Sequence, residues 1–176
     1  MTTTERVLWV GGHGTFLLLV LAGIAFVSGY WAIFIALGPA ACLLVFDAHN
    51  SDNTPTVVII SYVAALVVGW VTYTTIAPGI APTTIKPMSE SGLRVIGSGL
   101  VAFAVTAGTI FVLHTQQPMA YVAALTAAIG GLPTIQSLAL SIIAVLLLAG
   151  IQAVRRRYGP EFATSPELLN NHTFET

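Results

Sequence analysis

The chain has 176 residues, of which 56% are hydrophobic and only 7% charged. Soluble domains carry about a quarter charged residues, so this composition excludes a water-soluble globular fold. A formal net charge of −1 offers no basic surface for nucleic acid. The lone cysteine, Cys42, permits no internal disulfide and reads in its apolar context as a small buried hydrophobe.

The few charges are unevenly spread, with none between Arg6 and Asp47 and none between Arg94 and Arg155. The first gap alone would make roughly 60 Å of helix, twice the ~30 Å core of a bilayer. Each gap therefore holds more than one pass or dip. The N-terminal apolar stretch is too long for a signal peptide and lacks a convincing cleavage site.

In chain order, residues 1–14 form a cytoplasmic or interfacial lead-in that ends at Gly11-Gly12-His13-Gly14, a cluster expected to break a helix. A first span follows from Thr15 to about Ile35. Pro39 then opens a short apolar helix to Phe46, since proline suits a first helical turn. After the polar loop Asp47 to Thr54, Pro55 opens a second span to about Ile76. The connector from Ala77 to Gly92, with Pro78, Pro82 and Pro87, is ordered but not helical. A third span runs from about Arg94 to His114, Pro118 opens a second short helix to about Ile129, and Gly130-Gly131 turn the chain. Pro133 opens the last span, which ends at Arg155-Arg156-Arg157. Residues 158–176 form a polar cytoplasmic tail, with Ser165-Pro166-Glu167 as a helix start and Asn171-His172-Thr173 as a chance glycosylation match.

The plan occurs twice within the 15–157 membrane domain. Ala25 to Gly29 aligns with Ala104 to Gly108, Gly38-Pro39 with Gln117-Pro118, and Pro55-Thr56-Val57 with Pro133-Thr134-Ile135. The expectation is an all-α membrane protein with four transmembrane helices and two short re-entrant helices, as repeats over 15–76 and 94–157. If the short helices dip and return, Arg6, Lys86, Arg94 and the terminal arginines share one face, and the loop of Asp47 and Asp52 takes the other. The positive-inside rule then places both termini in the cytoplasm of a plasma-membrane protein, with parallel repeats. A six-span reading with inverted repeats stays open and moves Lys86 and Arg94 outside.

Function is expected where the backbone breaks at depth, because lipid offers no water to loose polar groups. Short helices starting at Pro39 and Pro118 would present unpaired N–H groups and positive dipole ends to a shared anion site. No span is expected to carry an acidic or basic residue, so an intramembrane carboxylate coupling has no candidate. The run His114-Thr115-Gln116-Gln117-Pro118 is the most polar buried one, read either as a binding site or as a hydrated helix end. Ser61 and Tyr62 are further cavity candidates, and Thr72 to Thr75 read as an interfacial helix end. His13 reads as a capping residue, and His49 with Asp47 and Asp52 as a solvated loop matching no metal spacing. Trp9, Trp31 and Trp70 are read as anchors or packing residues, and Gly23, Gly29, Gly97 and Gly99 as close-packing positions. No nucleophile–base pair, phosphate loop or zinc spacing is present, so neither an enzyme nor a cofactor is expected.

Leu37-Gly38-Pro39-Ala40-Ala41-Cys42-Leu43-Leu44-Val45-Phe46, the loop proline Pro55, Leu113-His114, Pro118 and the Gly130-Gly131 turn resemble the HPP family of small membrane proteins over residues 15–157. The His-Pro-Pro motif itself is not intact: Thr115-Gln116-Gln117 stand between His114 and Pro118, and Met119 replaces the second proline. The resemblance implies four spans and a permease or channel for a small nitrite-like anion, with Gly38, Pro39, His114 and Pro118 as motif residues. Expected partners are the lipid bilayer, the anion and further copies of the chain. The competing expectation is a non-transporting scaffold or subunit of a larger membrane complex.

Overall fold

The computed structural model describes residues 3–46, 54–115 and 117–158. Expectations placed on Asp47, His49, Asp52, Gln116 and the tail beyond 158 lie outside the described residues, as does the side chain of Trp9. The described chain is all-helical: α1 (Thr3–Ser28), α2 (Ala32–Phe46), α3 (Pro55–Ile76), α4 (Glu90–Val112), α5 (Ala120–Ala128) and α6 (Ile135–Tyr158). Four of these, α1, α3, α4 and α6, are long and apolar enough to cross a membrane.

Helix ends follow from local chemistry. Pro55 sits in the first turn of α3, behind a Thr54 cap that accepts the Val57 N–H. Ser89 caps α4 by accepting the Gly92 N–H, with Glu90 in the first turn favoured by the helix dipole. Gly29, at φ +75°, ends α1. Two helices end in the same reciprocal pattern. At α4, the His114 N–H bonds to the Phe111 carbonyl and the Thr115 N–H to Ile110. At α5, Gly130 bonds to Ala127 and Gly131 to Thr126.

Side-chain contacts fix the course of each helix. Tyr30, just before α2, meets Thr134 at the start of α6, with 3.3 Å between the hydroxyl oxygens. At the other end of α6, Arg155 donates to the carbonyls of Leu44 and Val45, in the last turn of α2, at 2.9 and 3.0 Å. Helix α2 thus runs alongside α6, parallel to it. Helix α3 runs back beside α5. Ser61 meets Thr115, Gly69 lies against Ala124 and Ala127, and Tyr73 against Gly130. Helix α4 descends antiparallel to both, with Ser98 bonded to the Ala128 carbonyl at 2.8 Å.

Several expectations are corrected here. Gly11 to Gly14 do not break the chain, since α1 runs through them. In an apolar setting the helix is the one arrangement that satisfies every backbone group, and this outweighs the ~1 kcal/mol cost of each glycine. The first span ends at Ser28 rather than near Ile35, and α2 starts at Ala32 with Pro39 inside it. Neither short helix dips and returns: each leaves one end of the bundle and arrives towards the other. The aligned anchors also differ in conformation. Gly29 ends a helix while Gly108 lies inside one, and Pro39 is interior while Pro118 precedes α5.

The core gathers on α5, whose Ala120, Ala123, Ala124, Ala127 and Ala128 are all fully buried. Gly69 lets α3 approach it closely. A methyl group there would overlap the Ala124 carbonyl oxygen and come within 2.8 Å of the Ala127 Cβ. Lipid-facing and protein-facing surfaces are equally apolar, so such close small-residue packing is what holds membrane helices together.

Candidate functional site

The residues singled out from the sequence fall in three places. Gly38 is buried and Pro39 half-buried within α2, on a wall of the core rather than at a helix start. His114 is exposed. Its φ of +52° is that of a residue ending a helix, and its Nδ1 lies 2.9 Å from the Val112 carbonyl. Thr115, Gln117 and Pro118 lead into α5.

At this foot of α5 the polar groups converge. The Ser61 hydroxyl donates to Thr115 Oγ1 at 3.1 Å. Gln117 is 1% exposed, as are Ser61, Tyr62 and Thr106. Helix register brings the last two to the same level. Tyr62 follows Ser61 on α3. On α4, Gly99 faces Leu125 and the Phe103 ring lies 4.7 Å from that of Tyr121. Thr106, nearly a turn further along the antiparallel α4, therefore reaches the residues just before Ala120.

These hydroxyls differ from the others in the bundle. Thr72, Thr74, Thr75 and Thr109 each donate to a carbonyl of their own helix, which leaves nothing to offer a ligand. Tyr73 likewise donates to the Ile80 carbonyl at 3.2 Å. By contrast, the Tyr62 hydroxyl and Thr106 Oγ1 have no hydrogen-bond partner among the described residues, although both are buried. Burying a hydroxyl unsatisfied costs about 1–3 kcal/mol, so each such position calls for a ligand or water.

The helix-dipole expectation needs correcting. The first N–H groups of α5 are not free: Ala120, Tyr121 and Val122 bond to the carbonyls of Gln117, Pro118 and Met119 at 3.0, 3.3 and 3.1 Å. Pro118 opens this tight turn, as its position suggests, but the donors left for a solute are the Tyr62 and Thr106 hydroxyls. The site offers hydroxyl, phenol and amide groups, and none of the residues named in it is a carboxylate.

A second polar group was missed in the sequence. Arg155, in the sequence simply the basic end of the last span, is 7% exposed and closes the last turn of α2. Its position as the first residue of the Arg155-Arg156-Arg157 run, next to the apolar part of α6, was the available signal. The expectation that no span carries a charge fails at this residue and, by the bounds of the α4 span, at Glu90 and Arg94. Among the described residues no group of three or more His, Cys, Asp or Glu is placed to hold a metal.

No family model, curated protein or solved structure matches the chain.

Proposed function

We propose that the chain is a multi-pass membrane permease for a small inorganic anion of the nitrite type, with its path past the foot of α5. The observation that carries this is the convergence of Ser61, Tyr62, Thr106, Thr115 and Gln117 inside an apolar bundle, with two buried hydroxyls unpaired among the described residues. Hydroxyl donors with no carboxylate beside them suit an anion, whereas protein sites for divalent cations ordinarily include carboxylates. The resemblance to the HPP family, which rests on the residues quoted above, points the same way. Gly38 and Pro39 then serve as wall rather than ligand, and His114 as the helix end that aims Thr115 at Ser61.

We infer a cytoplasmic location for both termini from the distribution of basic residues. The start of α1 and the end of α6 bring Arg6 and the Arg155-Arg156-Arg157 run to one end of the bundle, while the connector end carries Lys86 and an exposed Glu90–Arg94 pair at 3.3 Å. The richer basic end is the inner one by the positive-inside rule. A bundle this thin leaves room for a homo-oligomer in the membrane.

Reconstitution in liposomes tests the reading. Nitrite added outside should change internal pH well above the rate in empty vesicles, and chloride and nitrate should report selectivity. No flux of any small anion overturns it. Absent flux together with a protein co-purifying in mild detergent would support the scaffold instead.

A further inference from the structure

The substantial helix contacts have a symmetry that residue-by-residue alignment does not display. Let α1, α2 and α3 exchange with α4, α5 and α6. The α1–α2 contact maps onto α4–α5, α3–α4 onto α6–α1, and α3–α5 onto α6–α2, while α2–α5 and α3–α6 map onto themselves. Corresponding helices run in opposite directions, so the operation relating the halves is a twofold axis perpendicular to the helices.

The tethers at the two ends obey the same operation. The loop before α5 is held to the start of α3 by Ser61 and Thr115, and the loop before α2 is held near the start of α6 by Tyr30 and Thr134. A side chain from the last turns of α6, Arg155, closes the end of α2. One from the last turn of α3, Tyr73, packs on Gly130 at the end of α5.

Packing breaks this symmetry. The α1 span is 17% buried and that of its counterpart α4 is 33% buried. The seams of α3 with α4 and α5 are extensive, whereas the equivalent seams of α6 with α1 and α2 are slight. One half of the molecule is seated and the equivalent half is loose.

We propose that the chain is an inverted repeat caught in one of two equivalent packings, and that it works as a carrier by exchanging them. In the other packing α6 closes on α1 and α2 while α3 loosens from α4 and α5. The foot of α5 and its symmetry equivalent, the start of α2 beside Tyr30 and Thr134, then open in turn at opposite ends of the bundle. Sub-ångström sliding is not enough for this, because packed interfaces switch between discrete arrangements. The carrier step rests on the permease reading; the inverted duplication does not.

Two measurements in sealed vesicles of defined orientation separate these claims. In a Cys42→Ser background, Lys86→Cys and Arg157→Cys should react with a membrane-impermeant maleimide from opposite faces. Preloading the vesicles with nitrite should raise the initial uptake of isotope-labelled nitrite several-fold. Labelling of both cysteines from one face overturns the inverted repeat. Opposite-face labelling with uptake indifferent to preloading overturns the exchange and leaves a channel. Opposite-face labelling with no nitrite uptake at all removes the permease reading, and the carrier with it, while the duplication stands.

Discussion

His114 occupies the position after the last turn of α4 at φ +52°, where a side chain costs roughly 1–2 kcal/mol relative to glycine. Its imidazole is exposed, so its contribution is to the turn that brings Thr115 to Ser61. His114→Gly should therefore keep nitrite flux near that of the parent, with thermal stability in detergent equal or higher. His114→Val, β-branched at a positive φ, should lower the midpoint; unchanged stability would refute the turn assignment. Arg155 is the opposite case, a charged residue whose role is structural. Arg155→Gln withdraws two charge-assisted donors from the Leu44 and Val45 carbonyls, a loss of about 1–3 kcal/mol. A melting midpoint equal to that of the parent would contradict it. Neither role was legible in the sequence, because polarity there marks His114 and Arg155 as candidates for binding or for solvation. Only backbone conformation and burial separate those from capping.

At the scale of elements, caps and long apolar runs were the readable features. Pro55 marks the start of α3 as expected, whereas α4 starts behind Ser89 at Glu90, inside the stretch expected to be a non-helical connector. Glycine and proline inside the apolar stretches misled, at Gly11 to Gly14 and at Pro39, since the rules that make them breakers assume water as the alternative partner. Gly69 carries no signal in sequence beyond being small, yet it sets the distance between α3 and α5. Gly69→Leu should force these helices apart, lowering stability by about 1–3 kcal/mol or more and abolishing a monodisperse elution profile. Gly97→Ala, with nothing within 4 Å of the added methyl, is the matched control and should be tolerated.

For the whole molecule, the sequence supported a membrane protein, four long helices and a polar focus before Pro118, and each of these has a place in the fold. The contribution of Tyr62 and Thr106 to that focus comes from helix register across three elements, which no single stretch of sequence encodes. The direction of the short helices was equally hidden. Both readings bury the same residues and differ in which end each helix reaches, a matter decided by contacts such as Tyr30 with Thr134 and Arg155 with Leu44. The account rests on the foot of α5 as the place where an anion meets the protein. Nitrite flux through Gln117→Ala, compared with the parent at equal protein in the same liposomes, tests that most directly. The account predicts a fall of an order of magnitude or more in initial rate with the melting midpoint little changed. Parental flux in that variant would contradict it.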